Sequence, residues 1–230
     1  MRDGRFELHS RLVRPMTVTS KKALPVVVLH GGPGIPSDYL KGLEKLEYRS
    51  VLFYDQLGCG DSDRPEEEAL YSIETMVDDL QEVLRYYNLK RYHVLGQSWG
   101  GILAFEHALR LKAESREDEL VSMVLANTPA SVPLVESEAE ALMKAARGDV
   151  GSDELAASLF GHRHNCGIQP WPKELVMAYE KTGLIFRGSG ALGAWEATPE
   201  KLAEAPRVST LCIRGENDFV TEVGCPYICR

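Results

Sequence analysis

The sequence predicts an α/β fold: a mostly parallel sheet with helices on both faces and a helical insertion late in the chain. Three patterns predict it. Short continuous apolar runs end in glycine-rich loops, as strands buried on both faces do. Stretches of helical periodicity alternate with them, the pattern of parallel strands joined by crossover helices. From about residue 132 to 204 the strand signal stops, helical pieces broken by glycine and proline follow, and then an apolar run resumes.

Pro25-Val26-Val27-Val28-Leu29 is the first run and stops at His30-Gly31-Gly32-Pro33-Gly34, where glycine and proline force a sharp loop. Val51-Leu52-Phe53-Tyr54 is the second, followed by Asp55 and the turn-rich Gly58-Cys59-Gly60-Asp61. Ile73, Met76, Val77, Leu80, Val83, Leu84 and Tyr87 recur at helical spacing with acids between them, predicting an amphipathic helix that stops at Asn88. Tyr92-His93-Val94-Leu95 is the third strand and leads through Gly96-Gln97-Ser98-Trp99-Gly100-Gly101 into an apolar helix, Ile102 to Leu111. The charged run Glu114 to Glu119 reads as a solvated loop before a fourth strand, Leu120 to Ala126. Within the insertion, Glu138 to Arg147, Leu155 to Phe160 and Lys173 to Lys181 read as helices. Val208 to Ile213 is the last strand and ends at Arg214-Gly215-Glu216-Asn217-Asp218. The expected domains are a first core part, residues 1–131, a helical cap, 132–204, and a core continuation, 205–230.

Composition narrows the function classes. A chain of 230 residues, 44% hydrophobic, is long enough for one domain with a sizeable core and an insertion. The net charge of −8 argues against a nucleic-acid partner, because phosphate binding needs clustered Lys and Arg. No apolar run approaches the ~20 residues that span a membrane, and none follows the basic N-terminus, so neither a membrane partner nor a signal peptide is expected. The five cysteines, Cys59, Cys166, Cys212, Cys225 and Cys229, are scattered and odd in number, which fits the reduced thiols of a cytoplasmic protein better than a disulfide framework. Cys225 and Cys229 lack the two further ligands of a structural zinc site. No metal or cofactor is expected, and the oligomeric state stays open.

The chemistry lies at three strand ends. In Gly96-x-Ser98-x-Gly100 a serine stands between a strand and a helix with small residues on both sides. That is the context of a nucleophile elbow, in which a strained turn projects the hydroxyl beyond the sheet of an α/β-hydrolase. The alternative is a serine that only fills a tight turn. In His30-Gly31-Gly32-Pro33-Gly34 the backbone can approach a substrate closely. Gly32 from this loop and Trp99 after the nucleophile are the two N–H donors that an oxyanion hole needs; the alternative is a strand-ending turn. His30 reads as a structural hydrogen-bonder rather than a base. Asp218 follows a later strand, in the chain order Ser, Asp, His of this fold, and would orient a histidine and stabilise its charged form; the alternative is a turn residue.

These motifs carry a resemblance. His30-Gly31-Gly32-Pro33-Gly34, Tyr54-Asp55-Gln56-Leu57-Gly58-Cys59-Gly60-Asp61-Ser62 and Gly96-Gln97-Ser98-Trp99-Gly100-Gly101 together resemble the proline iminopeptidases, prolyl aminopeptidases of the α/β-hydrolase superfamily. Thr128-Pro129-Ala130-Ser131-Val132-Pro133, Arg163-His164-Asn165-Cys166 and Pro170-Trp171-Pro172 resemble that family's sheet-to-cap junction and cap. The resemblance covers roughly residues 24 to 224. It implies a serine peptidase that releases an N-terminal proline from peptides through an acyl-enzyme on Ser98, with no cofactor. Asp55 matches a motif residue of the family and is assigned to the turn.

The sequence departs from this template. No histidine follows Asp218 before the chain ends at Arg230. Of the six histidines present, His107 lies more than ~13 Å along the helix from Ser98 at ~1.5 Å per residue. His93 lies too deep in its strand, and His162 and His164 belong to the cap. The tail from Val223 to Arg230 reads as an altered or truncated end, with the last strand and helix of the fold missing and the triad histidine not found. Activity is then expected to be impaired, and Val208 to Ile213 becomes an exposed edge that invites poor solubility or a compensating partner. Phe219 stands where the resemblance implies an acid for the substrate amine; Glu196 and Glu180 are the remaining candidates. Two other readings stay open: another α/β-hydrolase, an esterase or amidase acting on a small ester or amide, or a non-catalytic truncated product. A serine at the elbow argues against dehalogenase and epoxide-hydrolase chemistry, which resembles this fold but places an aspartate there.

Overall fold

The computed structural model describes residues 2–15 and 23–224. The tail from Cys225 to Arg230 lies outside the described residues. The strands are β1 (Ser10–Val13), β2 (Val26–Leu29), β3 (Val51–Tyr54), β4 (Tyr92–Gln97), β5 (Leu120–Ala126) and β6 (Ser209–Ile213). They form one six-stranded sheet in the order β1-β3-β2-β4-β5-β6. β1 runs antiparallel to β3, and every other pair is parallel. The expected parallel strands are present within a residue or two of their sequence bounds. β1 is additional to the strands that the sequence predicts. It is four residues long, and its Arg11 guanidinium lies 4.4 Å from the Phe53 ring centroid, so a charged side chain covers the apolar strand beside it.

The helices are α1 (Ile73–Tyr86), α2 (Trp99–Ala113), α3 (Val132–Val150), α4 (Asp153–Phe160), α5 (Lys173–Glu180), α6 (Ile185–Gly188) and α7 (Pro199–Glu204). α1 starts with a reciprocal cap: Ser72 Oγ accepts from the Thr75 amide, and Thr75 Oγ1 accepts from the Ser72 amide. α3 to α7 all fall between β5 and β6 in the sequence. α3 is longer than the expected Glu138–Arg147, because the Ser131 hydroxyl caps it, Pro133 fits its first turn, and Gly151 ends it at φ 75°.

The two faces of the sheet are covered unequally. One face carries the main core, in which Val27, Leu29, Leu52 and Val94 pack with Leu80 of α1 and Ile102 of α2. The other carries a smaller cluster of Val28, Val51 and Phe53, covered by Leu40 and Leu43 of a 3-10 segment, Ser37–Lys45. The sequence predicts helices on both faces; among the described residues this second-face cluster is covered by the 3-10 segment instead. A cavity of about 1500 Å³ opens between α2, β5, β6 and α7, lined by Phe105, Ala108, Met123, Leu125 and Leu202 among others. β6 lies at the edge of the sheet, with Leu211 58% and Ile213 49% exposed. No helix among the described residues is long and apolar enough to cross a membrane. Cys59 and Cys166 are free thiols, whereas Cys212 is disulfide-bonded, which departs from the expectation of reduced thiols throughout.

Candidate active site

Parallel pairing sets the carboxyl ends of four neighbouring strands level. Leu29 of β2 lies beside Gly96 of β4, Gln97 beside Ala126 of β5, and Ala126 beside Ile213 of β6. The loops that follow these ends carry His30–Gly34, Ser98, Asn127 and Asp218. Ligands of α/β sheets bind at such carboxyl ends.

Ser98 forms the β4–α2 turn with φ 53° and ψ −121°, a conformation that a non-glycine residue keeps only when its surroundings impose it. Its amide donates to the Ala126 carbonyl at 2.8 Å, and its carbonyl accepts from the Gly101 amide at 2.8 Å. The flanking glycines follow from close packing. A Cβ on Gly96 would lie 2.3 Å from the Gly100 carbonyl oxygen, and one on Gly100 would lie 2.1 Å from that of Leu29. Only glycine lets α2 begin this close to β2. Trp99 is the first residue of α2, so its N–H has no carbonyl one turn back and belongs to the free donors of a helix start. The Trp99 indole donates to Gln56 Oε1 at 2.6 Å and meets Phe186 of α6 edge-on at 5.0 Å, joining the sheet edge to the helical insertion.

Gly32 holds φ 119°, and a Cβ there would lie 2.4 Å from the Gly34 nitrogen. Its neighbour Gly31 donates to the Tyr39 hydroxyl at 2.8 Å, which donates in turn to Gln97 Oε1 at 2.6 Å. The glycine loop is thus tied to the residue before Ser98. His30 is fully buried. Its Nδ1 donates to the Gly31 carbonyl at 3.0 Å and its Nε2 accepts from the Gln56 amide at 2.9 Å, and burial holds its pKa below the usual value. Asp55 is buried in the next turn, where Oδ1 accepts from both the amide and the hydroxyl of Ser37, and Oδ2 from the Asp61 amide. Burial opposes its charge, but these donors and His30 outweigh it, and its pKa falls below the ordinary range. Its bonds are those of a turn-builder.

Asp218 follows β6. Its Oδ1 accepts from the Val220 amide at 2.8 Å, and its Oδ2 accepts from the Asn127 side chain. Burial raises its pKa despite these donors. Asn127 is a residue of this turn that the sequence motifs do not mark. At φ 48° it leaves β5, donates its amide to the Ile213 carbonyl, and accepts from the Gly215 amide at 3.2 Å. An asparagine just past a strand is the one signal for this, since asparagine tolerates the left-handed region.

The six histidines all have other partners. His93 meets Ser122 and Arg49, His107 meets Tyr92, His162 meets Gln169, and His9 lies 3.4 Å from Asp55. His164 comes nearest the acid turn, with Nδ1 donating to the Asn217 carbonyl at 2.7 Å. Among the described residues no hydrogen bond joins Ser98 Oγ to an imidazole. Phe219 packs against Phe160 at 6.3 Å, and Phe160 against His164 at 5.2 Å, so an aromatic cluster fills the place where the family resemblance implies an amine-binding acid. Glu196 accepts from Ser131 at the wall of the large cavity, and Glu180 is exposed at the end of α5. Ligand atoms of His9, Asp55 and Asp61 lie within 4.8 Å of one another, but both carboxylates are already engaged, Asp61 by Lys181.

A strand–serine–helix turn at the carboxyl edge of a parallel sheet defines a class, and comparison with known proteins agrees. The family model described as alpha/beta hydrolase fold matches residues 25–158. The proline iminopeptidase of Lactobacillus acidophilus is 31% identical, over 98% of this chain and 82% of that protein. That of Lactobacillus crispatus is 31% identical over 90% and 77%. The crystal structure of a Mycobacterium smegmatis proline iminopeptidase aligns with a TM-score of 0.82 and 29% identity, over 96% of this chain and 82% of that one. The chain belongs to the α/β-hydrolase family, as a relative of the proline iminopeptidases.

Proposed function

We propose that the chain carries the machinery of a serine aminopeptidase that releases an N-terminal proline from a peptide. Ser98 Oγ attacks the carbonyl of the first residue. The amides of Gly32 and Trp99 hold the oxyanion, the proton given up by Ser98 Oγ goes to the leaving amine, and water hydrolyses the acyl-enzyme and returns a proton to Oγ. Asp218 is the acid that would orient the base. The division that goes with this reading is a core of residues 1–131 and 205–230 under a cap of 132–204. The observation that carries it is the strained Ser98 turn, φ 53°, at the start of α2.

Turnover of the 230-residue chain is impaired on this reading, because among the described residues no imidazole is hydrogen-bonded to Ser98 Oγ. Prolyl arylamide hydrolysis should run at least about a thousandfold slower than in the Mycobacterium smegmatis relative, the scale of losing a triad member. Ser98→Ala should remove what remains. Ordinary turnover that Ser98→Ala abolishes would show that a base is in place.

Phe219 favours a second reading, an esterase acting on substrates without a free amine, since an ammonium facing an aromatic cluster lacks an ionic partner. Under it, aryl acetate is cleaved faster than prolyl arylamide by more than their intrinsic reactivity difference.

A further inference from the structure

Two loops of the site meet the helical insertion at one crossing. The segment Lys181–Gly183, just after α5, runs between the glycine loop behind β2 and the Gly58–Asp61 turn behind β3. The Gly183 amide donates to the Gly34 carbonyl at 2.9 Å, and the Gly60 amide donates to the Lys181 carbonyl at 3.1 Å. The Arg64 guanidinium donates to the carbonyls of both Gly60 and Lys181, at 2.5 and 3.1 Å. Lys181 Nζ contacts both Asp61 oxygens, at 3.0 and 2.9 Å.

The backbones at this crossing leave no space for a side chain. A Cβ on Gly34 would lie 2.0 Å from the Gly183 carbonyl oxygen, and one on Gly183 would lie 1.6 Å from that of Gly58. Gly34 and Gly58 also hold positive φ, 92° and 94°, but Gly183 does not. Glycine at 183 is therefore a matter of room alone. Gly32 lies between two anchors. On one side Gly31 is tied through Tyr39 to Gln97, beside Ser98. On the other, Gly34 is tied to Gly183.

We propose that Gly183 is a positioning residue for the oxyanion loop. Its backbone fixes the direction of the Gly32 amide, so that seating the insertion and forming the oxyanion hole are one event. This rests on the oxyanion role proposed above for Gly32, and it assigns to the insertion a part in transition-state binding. Lys181, through Asp61, supports the same crossing from its outer side.

The test uses the 230-residue chain with Gly183→Ala and, separately, Lys181→Met, which removes the ion pair and no backbone contact. Hydrogen exchange read by mass spectrometry follows residues 30–36 and 57–62. Acylation by p-nitrophenyl acetate, measured against ester concentration, separates limiting rate from KM. Gly183→Ala should speed exchange in both loops at least ~10-fold and lower the limiting rate at least ~10-fold with KM within ~2-fold, the pattern of a displaced oxyanion donor. Lys181→Met should shift both readouts the same way by ~2–3-fold, as a half-exposed ion pair allows, and it decides the matter if Gly183→Ala does not fold. Native exchange in both loops of a folded variant overturns the proposal, and so does a raised KM at constant limiting rate. A wild-type chain whose Ser98 is inert toward the ester sinks the nucleophile reading instead, and exchange then decides the crossing.

Discussion

Ser98 and His107 show how differently two polar side chains of neighbouring elements are used. Ser98 is held in a strained turn at the open edge of the sheet. His107 is fully buried in α2, with Nε2 on the Tyr92 hydroxyl at 2.8 Å and Nδ1 without a partner. Burial, aided by Arg116 and Arg110, lowers its pKa from 6.5 to about 3. The unfolded chain therefore binds a proton here that the folded chain refuses. Stability from this group is complete above about pH 6.5 and is lost as pH falls toward 3, with a slope approaching ~1.4 kcal/mol per pH unit. Between pH 7 and 5 the urea midpoint should fall accordingly, and His107→Gln, which keeps a partner for Tyr92, should flatten that fall by about 2 kcal/mol. An unchanged slope in the variant would mean that His107 is not neutral in the fold. At this scale the Ser98 turn, the glycine loop and the Asp218 turn are all legible in the sequence, because each follows an apolar strand. Asn127 is not, since its role depends on Ile213, Gly215 and Asp218, which are remote in the chain and adjacent in the sheet.

Elements announce themselves when their signals are local. The helical spacing of Ile73 to Tyr87 marks α1, and the apolar runs mark β2 to β5. The 3-10 segment Ser37–Lys45 and β1 escape such reading, since both are short and draw their order from the sheet they cover. The glycines of the elbow are legible as a motif, but the reason for two of them lies between elements. Gly100 presses on the Leu29 carbonyl where α2 crosses β2. Gly100→Ala should therefore cost stability in the manner of core overpacking, about 2–3 kcal/mol, in addition to any loss at Ser98. A denaturant midpoint within error of wild type would refute this. Gly34 and Gly183 make the same point more strongly: a Cβ on Gly34 would meet the Gly183 carbonyl and one on Gly183 that of Gly58, across three segments remote in sequence.

The whole molecule shows an unbalanced sheet. β1 closes one edge with a short, Arg-bearing strand, whereas β6 leaves Leu211 and Ile213 exposed at the other, and the large apolar cavity opens alongside. Unprotected apolar edges pair with other chains. Light scattering should find concentration-dependent association, which Leu211→Lys and Ile213→Lys reduce without lowering the melting temperature. A monodisperse monomer at high concentration would show that this edge is tolerated as it is. The parallel order of the sheet is legible from the alternation of runs and helices, but the thin cover of its second face is not, because strands buried against helices or against a 3-10 segment read alike. One consequence of the topology concerns variation. β5 and β6 pair directly although all of α3 to α7 intervene. The entropy of closing such a loop grows only with the logarithm of its length, so that doubling it costs about 0.6 kcal/mol. Insertions there can lengthen, shorten or be exchanged at little thermodynamic expense, while the strand ends that hold Ser98 and Asp218 keep their register.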